Sequence, residues 1–205
     1  ILDNTIIWFT SDNGGECAEA YPKSFKERIN QLAKIFGPPL PVKSLEFIRN
    51  NIYNSASDNK PLRGGKGSAY EGGVRVPAFI YAPNFLQQRK VNQRITINDV
   101  LPSLSIASGF VDFDMSNLDG VDQWTFLSGK GNYSSTDYIV HGTYGKEAYY
   151  QDNWKLIVSE NSNLELYNLF DDPIEMNNVA NENKLLVANI LSKLKVFPQI
   201  GRAHV

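Results

Sequence analysis

Residues 6–15 read I-I-W-F-T-S-D-N-G-G, and residues 61–77 read P-L-R-G-G-K-G-S-A-Y-E-G-G-V-R-V-P. The first stretch opens as an apolar, β-branched and aromatic run, the pattern of a buried strand. It closes in Ser11-Asp12-Asn13-Gly14-Gly15, all turn-forming residues. A strand that carries Asp12 and Asn13 to its C-terminal end sets two hard oxygen donors where open α/β sheets place their ligands. Carboxylate and amide oxygens suit Ca²⁺ or Mg²⁺. Taken alone, Asp-Asn-Gly is an ordinary polar turn. The second stretch changes that reading. Five glycines between Gly64 and Gly73 surround a single lysine, Lys66. Such a loop lets the backbone approach a ligand closely, and Lys66 adds a compact positive charge. A P-loop needs Ser or Thr directly after its lysine, whereas Gly67 follows here, and the dinucleotide pattern GxGxxG is absent.

The two stretches, in this order, resemble the sulfatase family, most closely its arylsulfatase B-like group. That family carries S-D-N-G-G followed by P-L-R-G-x-K-x-x-x-x-E-G-G-x-R. Looser matches follow at residues 98–109 (N-D-V-L-P-S-L-S-I-A-S-G), 118–122 (L-D-G-V-D), 153–156 (N-W-K-L) and 165–180 (E-L-Y-N-L-F-D-D-P-I-E-M-N-N-V-A). The fold this resemblance implies is α/β: the C-terminal part of an alkaline-phosphatase-like mixed-sheet sandwich, followed by a small antiparallel α+β subdomain. The implied activity is sulfate-ester hydrolysis by a calcium-dependent enzyme with a formylglycine nucleophile, acting on aryl sulfates or sulfated glycosaminoglycan sugars. The implied roles are Asp12 and Asn13 as two Ca²⁺ ligands and Lys66 as a catalytic contact to the sulfate. Hydrolysis of such an ester requires negative charge to be stabilised on the sulfate and leaving oxygens, which a divalent cation and a fixed lysine can do.

Departures from the family pattern limit the reading. The formylglycine arises from Cys or Ser in C-x-P-S-R, and the only cysteine, Cys17, sits in C-A-E-A. Ca²⁺ takes six to eight oxygens, and the resemblance supplies two. The nucleophile and the remaining ligands are therefore expected upstream of Ile1, and the chain alone is expected to be inactive. Two other readings stay open: a phosphoester or phosphonate hydrolase of the same superfamily, and a non-catalytic sulfatase-like binding protein.

The chain has 205 residues, 42% hydrophobic and 20% charged, the composition of a globular protein. A net charge of −2 gives no electrostatic case for nucleic acid or an anionic membrane. No apolar run approaches a membrane span. The resemblance implies a lysosomal or secreted protein, and Asn132-Tyr133-Ser134 is an N-glycosylation sequon.

The organisation expected is a catalytic α/β part over residues 1–133, a subdomain over 134–199, and a non-native tail over 200–205. Residues 16–60 separate the two motifs as a helical insertion. Ser24 and Glu27 form a capping box ahead of Phe25, Ile29, Leu32, Ala33 and Phe36, and a second short helix follows Ser44. This insertion reads as a surface elaboration; a lid over the site and a mis-spliced segment are the alternatives. Asn98 or Asp99 caps a helix ended by Gly109, with Leu101, Leu104 and Ala107 as core candidates. Short runs at 138–140, 148–150, 154–158 and 164–169 form an antiparallel meander, and residues 184–197 form an amphipathic helix. Arg63, Glu71 and Arg75 read as structural, with Arg63 and Glu71 able to pair across the loop. His141 and the aromatics Tyr138, Tyr149, Tyr150 and Trp154 also read as structural. Asp172 and Glu175 read as turn and helix-start residues.

Overall fold

Alternation along the strands after residue 137 decides what the glycine-rich loop rests on. The computed structural model describes residues 2–16, 57–110, 114–142, 146–159 and 163–194. Cys17, most of the insertion and the tail lie outside them. In chain order the elements are β1 (Ile7–Thr10), α1 (Glu71–Val74), β2 (Ala78–Tyr81), α2 (Val100–Ser108), α3 (Trp124–Leu127), β3 (Tyr138–His141), β4 (Lys146–Gln151), β5 (Trp154–Ser159), β6 (Leu164–Asn168) and α4 (Lys184–Leu194). They fall into two compact units: Ile1–Thr10 with Ala78–Asp137, and Ser11–Pro77 with Tyr138–Val205. No helix among the described residues is long and apolar enough to cross a membrane.

In the first unit β1 and β2 pair antiparallel, Ile7 opposite Tyr81 and Thr10 opposite Ala78. Phe9 stacks on Phe79 at 5.0 Å between ring centroids. The expectation of a buried strand is corrected: Phe9 is 49% exposed and Ile7 42%. A central strand is buried by pairing on both edges and covering on both faces, and among the described residues β1 pairs only with β2. The helix α2 lies where expected, and Gly109 ends it in the left-handed conformation at φ 73°. Its core face is corrected too. Leu101 is exposed, while Pro102, Ser103 and Ser105 are buried. Ser103 reaches the Asp99 carbonyl at 2.5 Å and accepts the Gln123 N–H at 2.8 Å, so polar pairing turns this face inward. Asp99 accepts the Thr96 N–H at 2.7 Å and the Val121 N–H at 2.9 Å, tying the helix start to a later loop.

The second unit contains the expected meander, with strand order β3-β4-β5-β6, all antiparallel. The registers put Tyr149, Leu156 and Leu166 side by side on one face. Val187 and Ile190 of α4 pack there with Ala180, and burying a Val or Ile side chain contributes about 1.5–3 kcal/mol. The opposite face carries Ala148, Tyr150, Ile157 and Tyr167, and what covers it is the glycine-rich segment, through Ala69, Tyr70 and Val74. The sheet is therefore buried on both faces, which is why each central strand holds a run of three consecutive buried residues, Ala148–Tyr150 in β4 and Lys155–Ile157 in β5, rather than alternating. This grouping differs from a sequential division at residue 133: the loop packs with the meander because its charged residues find their partners there.

Candidate active site

The turn after β1 and the glycine-rich loop are joined by backbone. Gly14 N–H donates to the Gly73 carbonyl at 2.8 Å, and Lys66 N–H to the Gly15 carbonyl at 3.0 Å. Gly14 has to be glycine, since a Cβ there would be driven into the carbonyl of Gly72. Asn13 N–H donates to the Asp12 carboxylate at 3.0 Å, and Asn13 Nδ2 to the Gly14 carbonyl at 2.9 Å. The amide nitrogen of Asn13 is thus committed to the backbone, which fixes the face its Oδ1 presents.

Asp12, Asn13 and Lys66 line one open cavity of about 630 Å³ within the second unit. Asp12 and Lys66 are exposed and Asn13 half-buried. Lys66 Nζ has no carboxylate partner among the described residues. Arg75, read from sequence as structural, lines the same cavity, as do Lys60, Asp58 and Asn59, so with Lys66 three cations among the described residues border it. The Lys60–Asp58 pair is 3.7 Å apart with both side chains mostly exposed, so it contributes little to stability. The donor set of Asp12 and Asn13, one carboxylate and one amide oxygen, fits a hard divalent cation in part. No group of three or more His, Cys, Asp or Glu comes together among the described residues.

The loop is held from below by buried charge. Lys155, fully buried on β5, lies 3.0 Å from Glu71 Oε1 and 2.6 Å from Glu175 Oε1. The first contact is a directed hydrogen bond, while the second is an ion contact in which Glu175 Oε1 lacks hydrogen-bond alignment. Tyr150 also donates to Glu71 at 2.9 Å, and Glu71 N–H donates to Glu175 at 2.7 Å. Burial pushes Glu175 above the usual carboxylate range, against the opposing pull of Lys155. Burial, with Glu71 beside it, raises Tyr150 well above the ordinary phenol value.

Half-buried Glu165 anchors the other end of the loop. It accepts Tyr70 at 2.9 Å, Tyr167 at 2.7 Å and Lys146 at 3.1 Å, with Arg63 at 3.3 Å. Burial raises its pKa, but the hydrogen bonds from Tyr167, Lys146 and Tyr70 outweigh that and leave it below the ordinary value. The expected Arg63–Glu71 pairing is corrected, because Arg63 turns to Glu165 and Glu71 to Lys155. Glu175 is corrected as well: its backbone makes a turn, at φ 59°, but its side chain is a buried ion partner. Asp172 keeps its turn role, accepting the N–H groups of Met176 and Asn177. His141 is exposed on β3, 3.3 Å from Glu147, and does not line the cavity. The buried lysine was the residue least visible beforehand. Its signal is its place on the strand face shared with Tyr150 and Tyr167.

The strand end with its two oxygen donors, the glycine-rich loop with its lysine and the cavity they line form the candidate site. The sulfatase family model matches residues 1–110, and the chain belongs to the sulfatase family. An N-acetylgalactosamine-6-O-sulfatase of Bacteroides thetaiotaomicron is 27% identical over 211 residues, covering 95% of this chain and 36% of that protein. Among solved structures, Ps i-CgsB bound to k-i-k-neocarrahexaose superposes with a TM-score of 0.67 at 22% identity, covering 95% of this chain and 36% of that one. A structure from a study of glycosaminoglycan metabolism by Bacteroides thetaiotaomicron gives 0.62 at 25% identity, with coverages of 95% and 39%. The fold is accordingly the mixed α/β fold of solved sulfatases, as the motifs indicated. The chain spans about a third, or less, of the length of the curated relatives it matches.

Proposed function

We propose that the full-length protein hydrolyses sulfate esters, with a sulfated sugar as substrate. The observation that carries this reading is the shared cavity of Asp12, Asn13 and Lys66, in a chain of the sulfatase family. One relative is named an N-acetylgalactosamine-6-O-sulfatase, and this supports a glycan substrate. Asp12 and Asn13 would hold part of the shell of a Ca²⁺ ion, which when bound offers positive charge to the sulfate oxygens. Lys66 places its ammonium against the sulfate and stabilises charge developing on the leaving oxygen. The backbone ties from Gly14 and Lys66 hold these groups in register before substrate arrives. The formylglycine nucleophile belongs to a part of the protein outside this chain. Asn132, exposed in its sequon, is the proposed glycosylation site of a secreted or lysosomal protein.

Steady-state kinetics on a small aryl sulfate test the assignment in the full-length protein. Lys66→Ala is expected to lower kcat by about 10²–10³, the effect of losing one donor to an oxyanion. Asp12→Ala is expected to weaken calcium binding, read by terbium luminescence independently of turnover. Unchanged turnover in Lys66→Ala would remove Lys66 from the site.

A further inference from the structure

Gly15 has no side chain, yet both of its peptide groups are engaged by one side chain 44 positions away. Gly15 N–H donates to Asn59 Oδ1 at 2.9 Å, and Asn59 Nδ2 donates to the Gly15 carbonyl at 2.8 Å. The primary amide thus pairs with the turn as a second strand edge would. Asn59 Nδ2 also reaches the Gly64 carbonyl at 3.2 Å, at the start of the lysine-bearing loop. The Gly15 carbonyl in turn accepts the Lys66 N–H at 3.0 Å. Two residues before Asn59, the Ser57 hydroxyl donates to the Glu16 carbonyl at 2.6 Å, so residues 57–59 strap the turn at two points.

The geometry points to Asn59 as a positioning residue: its amide clamps the Asp12-Asn13 turn to the loop that carries Lys66 and so sets the separation of the oxygen donors from the ammonium. This inference rests on the sulfatase reading of that cavity. The chemistry demands asparagine. Its Oδ1 serves as acceptor and its Nδ2 as donor to two carbonyls, a combination that neither a carboxylate nor a hydroxyl supplies. Aspartate would keep the acceptor for Gly15 N–H but set an anionic oxygen against two carbonyl oxygens. Gly15 is matched to the clamp, since a Cβ there would stand 2.9 Å from Asn59 Oδ1 and closer still to Ser57. Because reactive geometry tolerates little displacement, a misplacement of about 1 Å lowers turnover by around 10²-fold.

The test uses the full-length protein, with Asn59→Ala, Lys66→Ala and the double variant, read by kinetics on an aryl sulfate and by hydrogen–deuterium exchange. Asn59→Ala is expected to lower kcat by about tenfold to a hundredfold with a smaller change in KM. It is expected to speed exchange at the Gly15 and Lys66 amides together. In the Lys66→Ala background the same substitution is expected to change kcat little, because the group it positions is gone. Full kcat in Asn59→Ala, unchanged exchange at both amides, or an equal loss with and without Lys66 would each overturn the clamp. Wild-type turnover in Lys66→Ala would instead overturn the reading of the cavity, and the exchange data would still judge the clamp. Should Asn59→Ala not fold, Asn59→Asp, which keeps the side-chain volume, is judged on the same readouts.

Discussion

Replacing Lys155 with Met removes the one cation between two buried carboxylates while nearly preserving volume. Lys155 and Glu175 are 0% exposed and the Glu71 side chain 9%, so water cannot take over solvation of either acid. Breaking a buried ion pair by removing one partner destabilises by about 3–5 kcal/mol, since an uncompensated charge is left behind. Here two pairs are lost, but one acid can take up a proton, which keeps the expected effect inside that range. For a domain of this size the midpoint should fall by roughly 2–4 °C per kcal/mol, or about 6–20 °C in all. Urea unfolding measures the free-energy change and thermal unfolding the midpoint, both followed by tryptophan fluorescence, with Trp154 adjacent to the substituted position. The deficit should shrink on acidification. A buried acid with a raised folded-state pKa has a contribution that is most favourable below its unfolded value and is lost as pH rises through the folded value. Adding Glu175→Gln to Lys155→Met should recover part of the loss. A loss below about 1 kcal/mol, or one that grows on acidification, would refute the idea that this cluster anchors the loop.

Glu165 titrates with the opposite sign. Its folded-state pKa lies below the ordinary 4.5, so its contribution is present above that value and fades as pH falls through the lower one. Glu165→Gln should therefore flatten the acid limb of a stability–pH profile measured by thermal unfolding; a limb unchanged from wild type would count against the network around it. Gly14→Ala should abolish turnover in the full-length protein and loosen the Asp12 turn, because the added methyl meets the Gly72 carbonyl. Wild-type kinetics in that variant would show that the turn and loop do not pack as described.

The meander and the closing helix were legible because their patterns are local. The short apolar and aromatic runs on either side of Asp152-Asn153 are visible in the chain itself, and so is the helical stripe around Ile190. The convergence of Asp12, Asn13 and Lys66 was legible through paired motifs. Burial was not legible where it depends on what lies across a face: β1 reads as a core strand and is exposed, and Leu101 reads as core where Ser103 is buried. The buried lysine on β5 was hidden for a different reason. A charge within an apolar strand makes physical sense only once Glu71 and Glu175 arrive opposite it. Asn59 was invisible because the group it holds is backbone, which no side-chain pattern reports.

The anchoring of the lysine loop also imposes an order on biosynthesis. Glu71 meets Lys155 after 84 further residues and Glu175 after 104. Both signature motifs leave the ribosome well before their support exists, so the loop waits, solvated and unpaired, for strands that are translated later. A transcript that stops short of β5 would encode the whole signature and still lack the footing on which that signature acquires its shape.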